Sequence, residues 1–157
     1  MKTSDFRIAA WLALGLLVAP GAAFAMGSSS TPEPKQADLY KQAEDLIDDE
    51  EYAEAIPLLQ QSIQEKGEYA DALNLLGYSN RKLGDKAKAM TYYTKALNME
   101  PNHLGANEYL GELYLELNDL PKAEARLAIL QNACGDCDEF DDLEDAIDDY
   151  KDDHGLS

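Results

Sequence analysis

Histidine, cysteine and tryptophan are scarce in this chain of 157 residues, with two, two and one respectively. Two histidines leave little material for general acid–base chemistry, and neither His103 nor His154 has metal-ligand spacing to the cysteines. No Ser-His-Asp order, paired acid/base motif or phosphate-binding loop stands out, so no enzyme and no cofactor are expected. Basic residues are few: 13 Lys and Arg stand against 31 Asp and Glu, a formal charge of −18. So negative a balance argues against nucleic acid and anionic membrane surfaces as partners. It fits cationic partners, or simple solubility.

Long apolar runs are also missing, with one exception from Ile8 to Val18. Met1-Lys2 and Arg7 precede that run, and Pro20-Gly21 and Ala23-Phe24-Ala25 follow it. A basic start, a short apolar core and an A-x-A end predict a secretory signal peptide over residues 1–25, cleaved after Ala25. The run is too short to span a bilayer, which takes about 20 residues. No cysteine lies near the cut to carry a lipid. The expected product, residues 26–157, is soluble in a bacterial periplasm, with no membrane insertion after cleavage. Loss of Lys2, Asp5 and Arg7 leaves it one unit more negative. Residues 26–35, MGSSSTPEPK, offer nothing to bury and read as a linker.

The rest is organised around residues 70–103. Leu73, Leu76 and Gly77 share one face of a first helix, and Leu83-Gly84-Asp85 makes a turn. Ala89, Tyr93, Ala96 and Leu97 form the apolar stripe of a second helix, which ends at Met99-Glu100-Pro101-Asn102. The same pattern returns 34 residues later: Leu110-Gly111, Leu117-Asn118-Asp119, Ala123 and Leu127. It returns 34 residues earlier as Ala43, Ala55, Leu59 and Ser62. A helix pair with one apolar side cannot bury it alone, and copies on either side supply the cover.

Leu73, Leu76, Gly77, Ala89, Tyr93, Ala96 and Pro101 match the tetratricopeptide repeat pattern, and the chain resembles that family over about residues 36–137. Gln42, Asn80, Leu130 and Gly135 depart from it. The resemblance implies an all-α fold, a right-handed superhelix of three helix pairs (36–69, 70–103 and 104–137). A capping helix over 138–151 completes a domain spanning 36–151, and 152–157 form a tail. Within repeat 1, Pro57 is expected near the first turn of its helix, where a missing N–H costs nothing.

The family also implies that the first helix of each pair lines a concave surface that binds a protein or peptide. Carried over, its positions are Tyr40, Lys41, Glu44 and Asp48 in repeat 1, and Asn74, Leu75, Tyr78 and Arg81 in repeat 2. In repeat 3 they are Glu108, Tyr109, Glu112 and Glu116. Tyr40, Tyr78 and Tyr109 offer flat apolar contact with a polar tip. Asn74 can pair with a peptide amide, and Glu44, Glu108 and Glu112 favour Lys or Arg on the ligand. Tyr40, Asn74, Tyr78, Arg81, Tyr109 and Glu112 are the candidate partner-binding residues, with Tyr78 and Glu112 outside the inter-helix core. The Lys and Asn set used by family members that clamp a terminal carboxylate is mostly missing. Arg81, Lys82, Lys86, Lys88 and Lys95 form a basic patch on repeat 2, able to receive an acidic partner or an acidic segment of the same chain.

Cys134-Gly135-Asp136-Cys137 closes repeat 3. In an exported chain the pair reads as a disulfide stapling that repeat to the last helix. Asp136, Asp138 and Glu139 disfavour the thiolate of a redox pair. Asp138 stands where heme attachment needs His. In residues 138–151, Phe140, Leu143, Ile147 and Tyr150 recur at helical spacing, fit to cover the open end of repeat 3. The opposite side is acidic but lacks the EF-hand order. Two functions follow: an interaction module, or a redox or metal-handling protein working through the CxxC.

Overall fold

The computed structural model describes residues 38–156. The signal-peptide and linker expectations for residues 1–35 lie outside them. Seven α-helices follow in order among the described residues: α1 Leu39–Asp48, α2 Tyr52–Lys66, α3 Ala70–Lys82, α4 Lys86–Met99, α5 Leu104–Glu116, α6 Leu120–Ala133 and α7 Asp138–His154. They pack as three antiparallel pairs, α1/α2, α3/α4 and α5/α6, in a superhelical stack with α7 on the end.

Local chemistry sets the boundaries. Asp38 caps α1 by accepting from the Tyr40 amide at 3.2 Å, and Asp85 caps α4 from the Lys88 amide at 3.1 Å. His103 does the same for α5, its Nδ1 accepting from the Ala106 amide at 3.2 Å. The turn inside each pair is one repeated device. Glu50, Gly84 and Asn118, spaced by the repeat, have positive φ of 61°, 86° and 58°. The residue after each bonds back across the turn: Glu51 to the Leu46 carbonyl at 2.7 Å, and Asp85 and Asp119 to those of Asn80 and Tyr114 at 2.8 Å. This is the left-handed helix ending with its six-to-one bond. Gly84 adopts it freely and Asn118 tolerates it, whereas Glu50 has neither advantage.

Pro57 differs from expectation. It lies inside α2, beyond the first turn, so the Ala53 carbonyl lacks its helical donor. Both residues are exposed, and water can serve that carbonyl.

The core is a chain of small clusters along the stack. Ala43, Ala55, Leu59, Ala72 and Leu76 join repeats 1 and 2; Ala89, Tyr93, Leu110 and Leu113 join repeats 2 and 3. Two glycines set the closest approaches. A Cβ on Gly77 would meet the Tyr93 ring at 2.5 Å, and one on Gly111 would meet Leu143 at 2.5 Å. The equivalent slot thus receives α4 within repeat 2 but α7 at the end of repeat 3. Leu130, where the repeat pattern has a small residue, is buried with Leu143 and Ile147 of α7. Phe140 is only half-buried there. Cys134, which caps the end of α6, and Cys137, which caps the start of α7, are disulfide-bonded.

Candidate peptide-binding groove

α1, α3 and α5 share one side of the stack, and three tyrosines meet on it. The Tyr78 and Tyr109 rings lie 4.6 Å apart between centroids, and Tyr52 meets Tyr78 edge-on at 5.9 Å. They help line a cleft of about 390 Å³ together with Lys41, Glu44, Ile47, Asp48, Glu50 and Leu75. Burial pushes the phenols of Tyr78 and Tyr109 up, so both remain protonated donors at neutral pH.

Beneath the tyrosines lies an ionic network centred on a buried guanidinium. Arg81 is 9% exposed, and its guanidinium sits 5.6 and 5.7 Å from the Tyr78 and Tyr109 ring centres. It pairs with Glu112 and, at 3.1 Å, with Glu116, both on the next repeat. Lys86 extends the network to Glu116 at 2.9 Å. The half-buried Glu112 offsets the desolvation that the enclosed guanidinium would suffer alone. Glu112 is therefore engaged by Arg81, where the sequence suggests an acid free for a ligand. Tyr78 and Glu112 both contribute to inter-repeat packing.

Other expected site residues fall elsewhere. Tyr40 packs against Tyr69 at 6.0 Å and is not among the side chains lining the Tyr78 cleft. Asn74 is 6% exposed, its amide nitrogen 3.0 Å from where a Cβ on Gly105 would stand, and its Oδ1 has no partner among the described residues. Glu108 is buried too. Most of the basic patch on repeat 2 is paired with carboxylates of this chain. Besides the Arg81 and Lys86 pairs, Lys88 meets Asp85 and Lys95 meets Glu68, each at 2.7 Å, while Lys82 lies over the Tyr78 ring at 5.3 Å. The acidic segment expected to dock there is partly supplied by α5.

The sequence reading missed Tyr52, Ile47 and Glu50. Tyr52 opens the second helix of its pair, whereas the groove rule names first helices. The repeat spacing carried a signal, since Lys86 is the equivalent of Tyr52. Both opening residues reach over onto a following first helix, Tyr52 to Tyr78 and Lys86 to Glu116.

No group of three or more His, Cys, Asp or Glu among the described residues is placed to hold a metal ion, and the groove presents no catalytic constellation. Paired helices, a superhelical stack and an aromatic concave side define a helical-repeat binding scaffold. Tetratricopeptide repeat profiles match residues 40–102 and 80–147, and the chain belongs to the tetratricopeptide repeat family.

Solved structures share the fold at low identity. A thermophilic TPR protein of Thermus thermophilus aligns with a TM-score of 0.67 and 19% identity, over 75% of this chain and 65% of that one. The type III secretion chaperone SycD of Yersinia enterocolitica, in complex with a peptide of the translocator YopD, aligns with a TM-score of 0.62 and 19% identity, over 75% and 90%. A tetratricopeptide repeat protein of Parabacteroides merdae aligns at 0.62 and 17%, over 76% of this chain and 46% of that one. This chain thus spans about half the length of the Parabacteroides protein. No curated protein matches the sequence.

Proposed function

We propose that this protein is an exported adaptor or assembly factor that holds an extended or helical segment of a partner protein in the groove of α1, α3 and α5. The tyrosine cleft carries the reading. Tyr52, Tyr78 and Tyr109 present rings and hydroxyls together over a charge already neutralised by Glu112 and Glu116. Such a surface binds apolar and aromatic side chains without exposing a bare cation. Glu44, Asp48 and Glu50 around the cleft favour a segment that also carries Lys or Arg. A chaperone of the same fold, crystallised with a peptide of its translocator, supports a groove of this kind as a peptide holder. The basic start, apolar run and Ala23-Phe24-Ala25 support export to a periplasm.

The test uses protein purified from cells with its native N-terminus. A partner crosslinked in an envelope fraction is identified and titrated against wild type and Tyr78→Ala, with circular dichroism reporting the fold. An aromatic anchor of about 2 kcal/mol predicts roughly a thirtyfold loss. Wild-type affinity in a folded Tyr78→Ala protein refutes the groove. N-terminal sequencing should read Met26-Gly27, and an intact Met1 in the mature population refutes export.

A further inference from the structure

Glu108 is a buried groove carboxyl that makes no ion pair among the described residues. It is 5% exposed, and among the described residues no hydrogen bond or ion pair holds its carboxyl. Its surroundings are acidic: Glu112 on its own helix, and Glu139 and Asp142 from α7. Leu143 brings those two residues close by seating in the Gly111 slot. Arg81 acts on Glu108 from α3 but makes its ion pairs with Glu112 and Glu116.

A buried acceptor lies on the same side. Asn74 Oδ1 has no partner among the described residues, and the Asn74 amide rests against Gly105, three residues before Glu108 on the same face of α5. A buried acceptor without a donor, as Asn74 Oδ1 is, is costly, and a donor-rich guest relieves it.

We propose that the α5–α7 end of the groove is a receptor for one primary ammonium, a lysine of the bound segment, taken up by Glu108 and Asn74 with Glu112, Glu139 and Asp142 around it. The proposal rests on the groove reading above and adds α7 to the binding surface. Lysine suits the acceptors better than arginine. They come from two helices and include one amide oxygen, so they ask for a compact charge with three rotatable donors, whereas a planar fork wants a bidentate carboxylate.

Uptake is coupled to a proton. Burial, reinforced by Glu112, Asp142 and Glu139 and opposed by Arg81, pushes Glu108 up from its ordinary value to about 8. The free site is therefore protonated at neutral pH. The ammonium favours the carboxylate, so Glu108 releases its proton to solvent as the lysine enters. Lysine itself stays charged through this range. Affinity rises with pH up to about 8 and then levels off. Among the other groups near the site, the phenols of Tyr78 of α3 and Tyr109 of α5 are pushed up by burial, as is that of Tyr93 of α4, so all three stay neutral through this range. From α6, Arg126 approaches α5 at Asn107, bonding its Oδ1 at 3.2 Å.

The test is carboxyl-carbon NMR of the whole protein, with the Glu108 signal assigned through Glu108→Gln. The probe is N-acetyl-lysine-N-methylamide, with the norleucine analogue as its neutral control at matched ionic strength. The Glu108 midpoint should stand at about 8 in the free protein. It should fall by about one unit with saturating lysine probe, a tenfold preference for the ionised site. The norleucine probe should leave it in place. Glu139→Gln with Asp142→Asn should lower the free midpoint and weaken the lysine probe severalfold. Equal effects of the two probes, undiminished lysine binding in Glu108→Gln, or a free midpoint near the ordinary 4.5 overturn the proposal. The probe fills only this subsite, so its failure leaves partner binding through Tyr78 standing. Loss of partner binding through Tyr78 likewise leaves the Glu108 titration readable.

Discussion

Glu108 and Glu112 stand one turn apart on α5, and Arg81 pairs with only the second. Repeat 2 sends its guanidinium from the end of α3 toward Glu112 and Glu116, while α7 sends Glu139 and Asp142 toward Glu108. Two carboxyls on one helix thus meet opposite surroundings. Glu112 is neutralised by a neighbour's charge and Glu108 by its own proton. In a chain with a net charge of −18, a buried cation is a scarce resource, and it is spent on the contact between repeats.

Removing that cation should have the largest effect. Arg81→Leu leaves Glu112 without its partner and takes a cation from beneath two rings. Denaturant unfolding should show a loss of about 3 kcal/mol. A change under about 1 kcal/mol would make the pair an ornament of the surface.

Glu108→Gln should act with the opposite sign, by an amount that grows with pH. The folded protein holds the proton up to about 8 while the unfolded chain releases it near 4.5. Stability from this group is therefore full below the unfolded value and lost as pH rises through the folded one. Gln, which cannot ionise, should match wild type near pH 4 and exceed it near pH 9, a rise of several degrees in Tm. A constant difference across that range contradicts the raised Glu108 midpoint.

Gly111→Ala should have the smallest effect and sharpen the contrast. A Cβ there meets Leu143 at 2.5 Å, so Leu143 has to give way and loosen its hold on α7, at a cost of about 1–2 kcal/mol by thermal melting. With Glu139 and Asp142 displaced, the Glu108 midpoint should drop toward its ordinary value. An unchanged midpoint in a destabilised variant would assign the shift to burial alone.

The helix pairs, their spacing and the inward faces were legible in the sequence because the same residues recur in register. Ala43, Gly77 and Gly111 mark one slot, and Ala55, Ala89 and Ala123 another. The turns were legible through Gly84 and Asn118, whereas Glu50 shows no composition signal for the left-handed conformation it shares with them. The groove was legible only as a set of positions. Which charges on it are free was not, because pairing depends on reach between repeats. Arg81 and Glu112 stand almost a full repeat apart in the chain, and no local pattern joins them. Likewise nothing in the local sequence says that Leu143 fills the slot which Tyr93 fills one repeat earlier.

Among the described residues, the two ends of the stack are closed unequally. At the far end α7 seats Leu143 and Ile147 in the core. At the near end α1 hides a single residue, Ala43, and leans on half-buried Tyr40, Leu46 and Ile47. Segments with little buried surface open locally at the least free-energy cost. Lys41, Glu44, Ile47 and Asp48, one wall of the tyrosine cleft, all stand on this lightly anchored helix. If the groove holds a segment as proposed, it is a book with one loose cover: the segment can be laid in from the side, with no need to thread a free end.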